Sequence, residues 1–359
     1  MTEAIKRITL SDYEIVLDES LSYLETFLTE RKYSSVIILA DSNTAELCHP
    51  KLIALLPFLA AAPLVVVPAG EPHKTIATCE EIWADMLRVH ADRKAVVINL
   101  GGGVIGDMGG FAAACYKRGI DFIQVPTTVL SQVDSSIGGK LGVDFRYGKN
   151  LVGVFKNPVL VLISTVWFQT LSQRQLVNGF AEIYKHALIQ DAGQWKLLKT
   201  DLTIPPAHFH SILHDSLMIK KAVVEADPYE KGWRKILNFG HTIGHAVEAY
   251  SLGNNSDPLL HGEAIAAGMI MEAYIGFLVC GFPAEQLKEV EQVLLRQYGH
   301  YPLSDNAEEL LWPAMAMDKK NAGTKVLAVV LETIGKPVID VEITAELLTK
   351  ALNYYRRLS

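Results

Sequence analysis

The sequence predicts two domains, an open α/β sheet followed by a mostly α-helical domain. Short β-branched runs alternate with amphipathic stretches in the first half of the chain, and long helical patterns follow one another in the second half. The 359 residues suffice for two domains, and 50% of them are hydrophobic. Intrinsic disorder is excluded, because disordered chains combine low hydrophobicity with high charge.

Continuous apolar runs in the first half have the composition of parallel strands that helices cover on both faces. These runs are 35–40, 64–67, 95–100, 122–125 and 159–163, with a helical pattern at 78–90. The uncharged stretch 52–70 is long enough to span a bilayer, but three prolines interrupt it. We therefore interpret it as a helix end, a turn and a buried strand.

After about residue 170, strand-like runs nearly vanish and helical periodicity dominates. The helical patterns cover 173–190, 208–226, 242–250, 262–280 and 284–298, and one strand-like run lies at 325–331. The turn-rich segment 167–172 is the natural boundary. We therefore expect one domain over residues 1–170 and another over residues 171–359.

The charge balance and the cysteines limit the partners and the compartment. The chain has 33 Lys and Arg against 40 Asp and Glu, a net charge of −7, whereas nucleic-acid binders normally show a basic excess. The four cysteines form no CxxC pair, which favours a reducing compartment. The first residues, MTEAIKRITL, lack the apolar run of a signal peptide. We expect a soluble, cytoplasmic protein with no nucleic-acid or membrane partner.

A glycine-rich segment directly follows the run 95–100. Gly101–Asp107 satisfies the pattern GxGxxG and precedes a helix-like stretch, so backbone N–H groups could hold a pyrophosphate there. The alternative is a tight strand-to-helix turn without a ligand. No acidic residue follows about 20 positions later to hold the ribose. Asp41, which follows an earlier strand, is the better candidate, because neighbouring strands can end at one crevice.

Three histidines, His241, His245 and His261, fall within 21 residues. The first two are four apart, so a helix places them on one face. Two histidines at this spacing with a distant third ligand suit a zinc site that keeps one open position. The spacing leaves the ligand set open among these histidines and the carboxylates Glu182, Glu248 and Glu263. A lone histidine is more often a core or capping residue than a metal ligand.

Two lysines stand beside glycine, in Gly138-Gly139-Lys140 and Gly148-Lys149-Asn150. Most lysines and arginines are solvated surface residues. Glycine next to a cation, however, suits the close approach of a phosphate. These two segments are therefore candidates for binding a small anion.

Taken together, these motifs resemble those of the 3-dehydroquinate synthase family. The resemblance runs in order from about residue 35 to residue 335. It rests on Gly101–Asp107, Arg118-Gly119, Val125–Thr128, Val133–Lys140, Gly148–Asn150, Ala181–Lys185, Arg234–His241, His245, His261–Glu263 and Asp318–Asn321. The stretch between His245 and His261 looks lengthened relative to the family.

The resemblance implies a lyase of the shikimate pathway, which supplies aromatic amino acids. It would convert 3-deoxy-D-arabino-heptulosonate 7-phosphate into 3-dehydroquinate and phosphate. The steps would be transient oxidation by NAD, phosphate elimination, re-reduction and intramolecular aldol cyclisation. It also implies bound NAD, a divalent metal (Zn2+ or Co2+), a Rossmann-like N-terminal domain, a helical C-terminal domain and a cytoplasmic homodimer.

The same resemblance assigns residues by position. The metal ligands would be Glu182, His241 and His261. NAD contacts would come from Asp41, Asn43, Glu71, Lys74, Gly102, Gly103, Val104, Asp107, Thr127, Thr128, Lys149, Thr170 and Asn178. Substrate contacts would come from Arg118, Asp134, Lys140, Asn150, Lys185, Lys220, Arg234, Asn238, His245 and Lys319. The catalytic residues among them would be Lys140, Lys185, Arg234, Asn238 and His245. Arg118 would reach its own or the neighbouring subunit's site, and either His245 or the substrate phosphate would move the proton.

Three other functions compete with this one. A metal-dependent polyol or alcohol dehydrogenase shares the architecture and a glycine-rich NAD loop, but it does not need these cations. Another sugar-phosphate cyclase would differ at positions such as Lys185, Lys220 and Asn238. A nucleotide-binding or scaffold protein without catalysis would not need an intact set of metal ligands and cations.

Overall fold

The computed structural model describes residues 5–146, 148–200, 206–254, 256–316 and 325–358. The chain divides into two compact units. The first comprises Met1–Ser172 with Phe209–Lys221, and the second comprises Gln173–His208 with Ala222–Ser359. The first unit thus includes part of a helix from the second half of the sequence. The division at residue 170 stays a prediction.

A seven-stranded sheet forms the centre of the first unit, in the order β1-β2-β9-β6-β5-β3-β4. The strands are β1 Lys6–Thr9, β2 Glu14–Leu17, β3 Val36–Asp41, β4 Leu64–Val67, β5 Val96–Gly101, β6 Asp121–Pro126 and β9 Leu160–Ile163. All neighbouring pairs are parallel except β1 with β2. The five predicted apolar runs are confirmed as the parallel strands β3, β4, β5, β6 and β9.

Helices cover both faces of this sheet, which explains why its strands are continuously apolar. The helices are α1 Tyr23–Arg31, α2 Ser42–Leu47, α3 His49–Leu55, α4 Ile76–Arg88 and α5 Gly103–Cys115. On β3, Ile37 and Leu39 belong to the core formed with α4 and α5, whereas Ile38 belongs to the core formed with α1 and α3. A hairpin of β7 Lys140–Phe145 and β8 Gly148–Phe155 adds Leu141 and Val143 to the first of these cores.

The segment 52–70 is divided as the sequence suggests. It contains the end of α3, a short 3₁₀ helix at Pro57–Leu59 and the strand β4. It is therefore not one apolar helix.

The second unit is mostly helical. It contains α6 Gln173–Gln190, α7 Ala192–Leu198, the end of α8 Pro206–Ala226, α9 His241–Asn254, α10 His261–Val279, α11 Ala284–Tyr298, α12 Ala307–Ala316 and α13 Ala345–Arg356. A hairpin of β10 Val326–Thr333 and β11 Lys336–Ile343 completes it. The predicted helices and the strand-like run at 325–331 are confirmed, with boundaries that shift by a few residues.

Helix α10 lies at the centre of this unit and is apolar on all sides. It packs against α6, α9, α11, α13 and β10, as expected for a helix without a polar face. By length and composition it could also cross a membrane, but 72% of its apolar window is buried inside the molecule, and buried core helices pass the same test.

Glycines let α9 and α10 approach each other closely. A Cβ atom on Gly268 of α10 would lie 2.0 Å from the Gly240 carbonyl oxygen and 2.6 Å from the Gly244 nitrogen. A Cβ atom on Gly244 would lie 3.0 Å from the Cα of Ile265. The helix pair that carries His241, His245 and His261 therefore depends on positions without side chains.

Candidate active site

Three side chains from three helices of the second unit converge at one carboxylate oxygen. Glu182 lies in α6, while His241 and His261 are the first residues of α9 and α10. The Nε2 atom of His241 is 3.4 Å from Oε1 of Glu182, and the Nε2 atom of His261 is 3.6 Å from the same oxygen. Both imidazole nitrogens thus face the carboxylate.

The other ring nitrogen of each histidine is held by a hydrogen bond. Nδ1 of His241 is 3.1 Å from the carbonyl oxygen of Phe239, to which it donates as Nδ1–H. Nδ1 of His261 lies 3.3 Å from Oε2 of Glu248. Such partners fix the ring orientation and leave the Nε2 lone pair available to a metal.

The electrostatics of the two histidines differ. Burial, followed by the positive charge of Lys185, lowers the pKa of His241 to about 3 despite the nearby Glu182. Burial also lowers the pKa of His261, but hydrogen bonds to Glu182 and Glu248 outweigh it and raise that pKa to about 9. Lys185 itself pairs with Glu182 one helical turn away. Without a metal, His241 is therefore neutral at neutral pH, whereas His261 is protonated and must lose the proton on Nε2 to bind a metal.

The geometry distinguishes the three carboxylates that the sequence spacing left open as candidate metal ligands. Both oxygens of Glu263 bond Arg174, at 2.7 and 2.8 Å, and one of them also accepts the Leu260 N–H at 2.8 Å. Glu248 orients His261 through Nδ1. Among Glu182, Glu248 and Glu263, it is Glu182 whose oxygen faces both Nε2 atoms.

His245 lies in the same cluster, one turn after His241. Its ring centroid is 5.1 Å from that of His241 and 5.7 Å from that of His261. Nitrogen atoms of the three histidines lie within 4.8 Å of one another, so distance alone also admits a three-histidine set.

The donor set fits a divalent transition metal. One buried carboxylate and two imidazoles are the ligand types that catalytic zinc sites use, with a fourth position kept open. Glu182 has 0% exposure, and a buried carboxylate is costly unless it is paired or binds a metal. The residues present therefore suit Zn2+ or Co2+.

In the first unit, the candidate NAD residues follow the carboxyl ends of four adjacent strands. The sheet order β6-β5-β3-β4 brings the ends of these strands to one edge. Asp41 ends β3, Gly102 follows β5, Thr127 follows β6 and Glu71 follows β4. Ligands of open α/β sheets bind outside this edge.

At two positions of the glycine-rich turn, only side chains limit the space for a Cβ atom. A Cβ atom on Gly102 would approach Thr128 to 3.3 Å, and one on Gly103 would approach Ser135 to 3.1 Å, in both cases side-chain atoms. By contrast, a Cβ atom on Gly109 would lie 2.3 Å from Oδ1 of Asn99. Packing thus explains Gly109, while Gly102 and Gly103 form a cradle at the start of α5 that is the candidate pyrophosphate site.

Several candidate NAD residues have structural partners. Asp41 caps α2, with Oδ1 accepting the Thr44 N–H at 2.8 Å. The buried Lys74 donates to Asp107 and to Asn150, both at 2.6 Å. The remaining candidates of this unit lie as follows: Asn43 in the first turn of α2, Val104 in the first turn of α5, Lys149 exposed on β8, and Thr170 bonded to the Trp167 carbonyl at 2.7 Å.

Asn178 lies in the second unit and is buried. Its Oδ1 accepts the Gly262 N–H at 2.6 Å, next to His261. It therefore anchors the beginning of α10, whether or not it also contacts NAD.

Two of the candidate substrate residues of the first unit pair with each other. Nζ of Lys220 donates to Oδ1 of Asp134 at 2.5 Å. Lys140 is exposed at the start of β7, after Gly138 and Gly139, whose φ angles are 93° and 65°. The turn itself thus requires these glycines, apart from any phosphate.

Arg118 lies in an unusual turn. Lys117, Arg118 and Gly119 have φ angles of 49°, 71° and 109°, a left-handed conformation that residues other than glycine seldom adopt. The guanidinium is exposed, and no ion pair or hydrogen bond joins it to other residues of the described ranges.

The remaining substrate candidates lie in the second unit. Arg234 is buried and donates from Nη1 to the Pro228 carbonyl at 2.7 Å. The Asp227 carboxylate holds this turn by accepting backbone N–H groups of Lys231, Gly232 and Arg234, at 3.0, 2.7 and 3.1 Å. Lys319, the last candidate, lies outside the described residues.

Glu230 is a further candidate that no sequence motif marks, and it accepts a hydrogen bond from Nδ2 of Asn238 at 2.8 Å. Its φ angle is 56°, a strained conformation of the kind that often occurs at functional sites. A single acidic residue in a polar turn carries no pattern, so only the folded contact identifies it.

A largely parallel open sheet with a glycine cradle, together with a cluster of Glu182 and two histidines that begin helices, is typical of a metal-dependent nicotinamide enzyme. Comparison with known proteins narrows this class. The family model for the N-terminal part of 3-dehydroquinate synthase matches residues 64–178, and the model for its C-terminal part matches residues 179–321. The 3-dehydroquinate synthase of Parabacteroides distasonis is 38% identical over 350 residues, 97% of this chain and 99% of that protein.

Two solved structures share the fold of this chain. A 2-deoxy-scyllo-inosose synthase in complex with carbaglucose-6-phosphate, NAD+ and Co2+ has a TM-score of 0.85 and 26% identity, over 98% of this chain and 100% of that one. A 2-epi-5-epi-valiolone synthase from Streptomyces hygroscopicus with NAD+ and Zn2+ has the same score and identity, over all of both chains. The chain belongs to the 3-dehydroquinate synthase family.

Proposed function

We propose that this chain converts 3-deoxy-D-arabino-heptulosonate 7-phosphate into 3-dehydroquinate and phosphate, with Glu182, His241 and His261 as metal ligands. The convergence of both Nε2 atoms on one buried carboxylate oxygen is the observation that supports this ligand set. When bound, NAD removes and returns one hydride, and the divalent metal polarises the oxygen at the oxidised carbon.

The residues of the first unit have two tasks in this proposal. The cradle at Gly102 and Gly103 binds the pyrophosphate of NAD, and residues at the adjacent strand ends contact the rest of the dinucleotide. These residues are Asp41, Asn43, Glu71, Lys74, Val104, Asp107, Thr127, Thr128, Lys149 and Thr170, joined by Asn178 of the second unit. Arg118, Asp134, Lys140, Asn150 and Lys220 bind the phosphorylated acid, since two anionic groups need cations and hydrogen-bond donors.

The residues of the second unit orient the reacting groups. Arg234 and Asn238 are held by the turn around Asp227 and Glu230, which presents them in a fixed geometry. Lys185 and His245 lie beside the metal ligands, and His245 is the better proton carrier because the ordinary pKa of histidine is near neutral. Lys319 would add a further cation for the substrate.

We also propose a cytoplasmic homodimer in which Arg118 serves the neighbouring subunit's site. The exposed position of Arg118 on a strained turn supports this role, because no ion pair or hydrogen bond joins it to other described residues of its own chain. Light scattering of the purified protein measures the mass, and a monomer would contradict this part of the proposal.

The decisive experiment incubates the protein with the heptulosonate phosphate, NAD and Zn2+ and follows phosphate and dehydroquinate together. We expect equal amounts of both products without accumulation of reduced nicotinamide. A dehydrogenase would accumulate reduced nicotinamide, which absorbs in the near ultraviolet, and would release no phosphate.

Two variants test the ligand set. His241→Ala should lose the metal and the activity together, whereas His245→Ala should retain the metal and turn over more slowly. Metal analysis of the purified variants distinguishes the two sets, because loss of the metal from His245→Ala would favour three histidine ligands instead.

A further inference from the structure

Glu272 of α10 is a buried carboxylate to which the reaction assigns no role. Its exposure is 0%, and it lies among apolar residues of the central helix. Burial of a carboxylate costs free energy unless hydrogen bonds compensate for it. Its hydrogen bonds therefore indicate what it does.

Both oxygens of Glu272 accept backbone N–H groups where α9 begins. Oε2 accepts the Gly240 N–H at 2.6 Å, and Oε1 accepts the Ile243 N–H at 2.9 Å. A capping box gives the same two backbone positions their partners from within one helix. Here a single carboxylate from a neighbouring helix satisfies both, and its negative charge suits the positive end of the α9 dipole.

The Gly240 N–H and the Phe239 carbonyl belong to one peptide group. That carbonyl accepts the Nδ1–H of His241 at 3.1 Å. The φ angle of Gly240 is 78°, and a Cβ atom there would lie 2.3 Å from Met269 of α10, so glycine and helix packing fix the orientation of this peptide. A chain of hydrogen bonds thus leads from Glu272 through the peptide to His241.

We propose that Glu272 is a positioning residue that acts on His241 through the Phe239–Gly240 peptide. A carboxylate that accepts the N–H of a peptide makes its carbonyl a stronger acceptor, because hydrogen bonds in a chain polarise one another. The stronger Nδ1–H bond fixes the imidazole and makes Nε2 a better donor to a metal. Many metal sites place a carboxylate directly on the histidine; here a peptide group lies between them.

This inference rests on the proposed ligand role of His241. The experiment compares Glu272→Gln with the wild-type protein and with Glu291→Gln. Glu291 is a second buried carboxylate of the same unit, and it bonds Tyr354 instead of α9. Gln at position 272 keeps one acceptor oxygen but turns an NH2 group toward one of the two N–H donors, so one bond is lost.

We expect Glu272→Gln to bind Zn2+ about tenfold more weakly in competition with a chelator, at the lower end of the effect for outer-shell partners. The visible absorption of the Co2+-loaded variant should shift, and Glu291→Gln should match the wild type in both. Zn2+ affinity within twofold of the wild type and an unchanged Co2+ spectrum would overturn the inference, even if the variant unfolds at a lower temperature. A merely structural role would lower thermal stability in both variants without changing the spectrum.

Two further measurements complete the test. The Gly240 amide proton of the wild-type protein should resonate far downfield in NMR, and an ordinary chemical shift would contradict the bond to Glu272 without any variant. His241→Ala should abolish Zn2+ binding. If His241→Ala still binds Zn2+, the proposed ligand set is wrong. If His241→Ala loses Zn2+ but Glu272→Gln binds it as the wild type does, only the inference about Glu272 is wrong.

Discussion

Substitution of Gly268 by alanine should separate two helices that carry the candidate metal ligands. The new Cβ atom would lie 2.0 Å from the Gly240 carbonyl oxygen, whereas real Cβ atoms stay beyond about 3.0 Å. It would also lie 2.6 Å from the Gly244 nitrogen. Both neighbours are backbone atoms, so no side-chain rotation relieves the contact, and α9 must move by about 1 Å relative to α10.

This displacement is large for both packing and coordination. Overpacking of a core costs about 1–3 kcal/mol, partly offset by the higher helix propensity of alanine, about 1 kcal/mol. Metal sites tolerate deviations of only about 0.2 Å in ligand distance. We therefore expect the affinity of the folded protein for Zn2+ to fall in addition to the loss of stability. The reason is that His241 moves with α9 while His261 stays on α10.

The assay is thermal unfolding with and without Zn2+, together with chelator competition. For a unit of this size, a loss of 1–2 kcal/mol lowers the midpoint by roughly 2–8 °C. Gly253→Ala is the matched control, because nothing lies within 4 Å of a Cβ atom at this exposed position of α9. Wild-type stability and Zn2+ affinity in Gly268→Ala would refute the argument that close backbone contact sets the ligand geometry.

Two further predictions concern other polar contacts. Lys74→Met should lower the free energy of unfolding in urea by about 3 kcal/mol, because it leaves the Asp107 carboxylate without its buried partner. The double variant with Asp107→Asn should recover most of this loss. Equal stability of Lys74→Met and the wild type would contradict the prediction. Asp227→Ala should raise the KM for the phosphorylated substrate, because it loosens the turn that holds Arg234. The control is Asp191→Ala, which removes an acceptor of two backbone N–H groups at α7. It should cost about 1 kcal/mol of stability without a change in KM. The same KM in all three proteins would show that the Asp227 turn does not position the substrate.

The strands β3, β4, β5, β6, β9 and β10 could be predicted from the sequence, whereas β1, β2 and the hairpin of β7 and β8 could not. The run that became β3 is apolar at successive positions because each face of the sheet is covered. The edge strand β1, Lys6–Thr9, contains two cations and is mostly exposed, and β8 is exposed at most of its positions. Such strands depend on pairing with a neighbour, and their composition resembles that of a loop.

The site residues that carry a motif could be predicted, while their supporting partners could not. His241, His261 and Glu182 lie in recognisable segments, and the fold brings them together. Glu272 accepts a hydrogen bond from a residue 32 positions away, through a contact that exists only once α9 and α10 have packed. The sequence predicts that Asp41 holds a ribose, and in the structure Asp41 caps α2. The sequence alone does not distinguish these two roles.

The charges around the candidate metal ligands explain why so many carboxylates gather there. His241 and His261 are the first residues of two helices, whose N-termini each carry roughly half a positive charge, and Lys185 adds a full one. A divalent cation would be repelled by these groups alone. Glu182, Glu248 and Glu272 supply three negative charges at close contacts with the same elements. With His261 protonated, they leave the cluster about neutral without the metal, and about one charge positive when the metal replaces that proton. On this count, the cluster favours an anionic substrate only after the cation is bound.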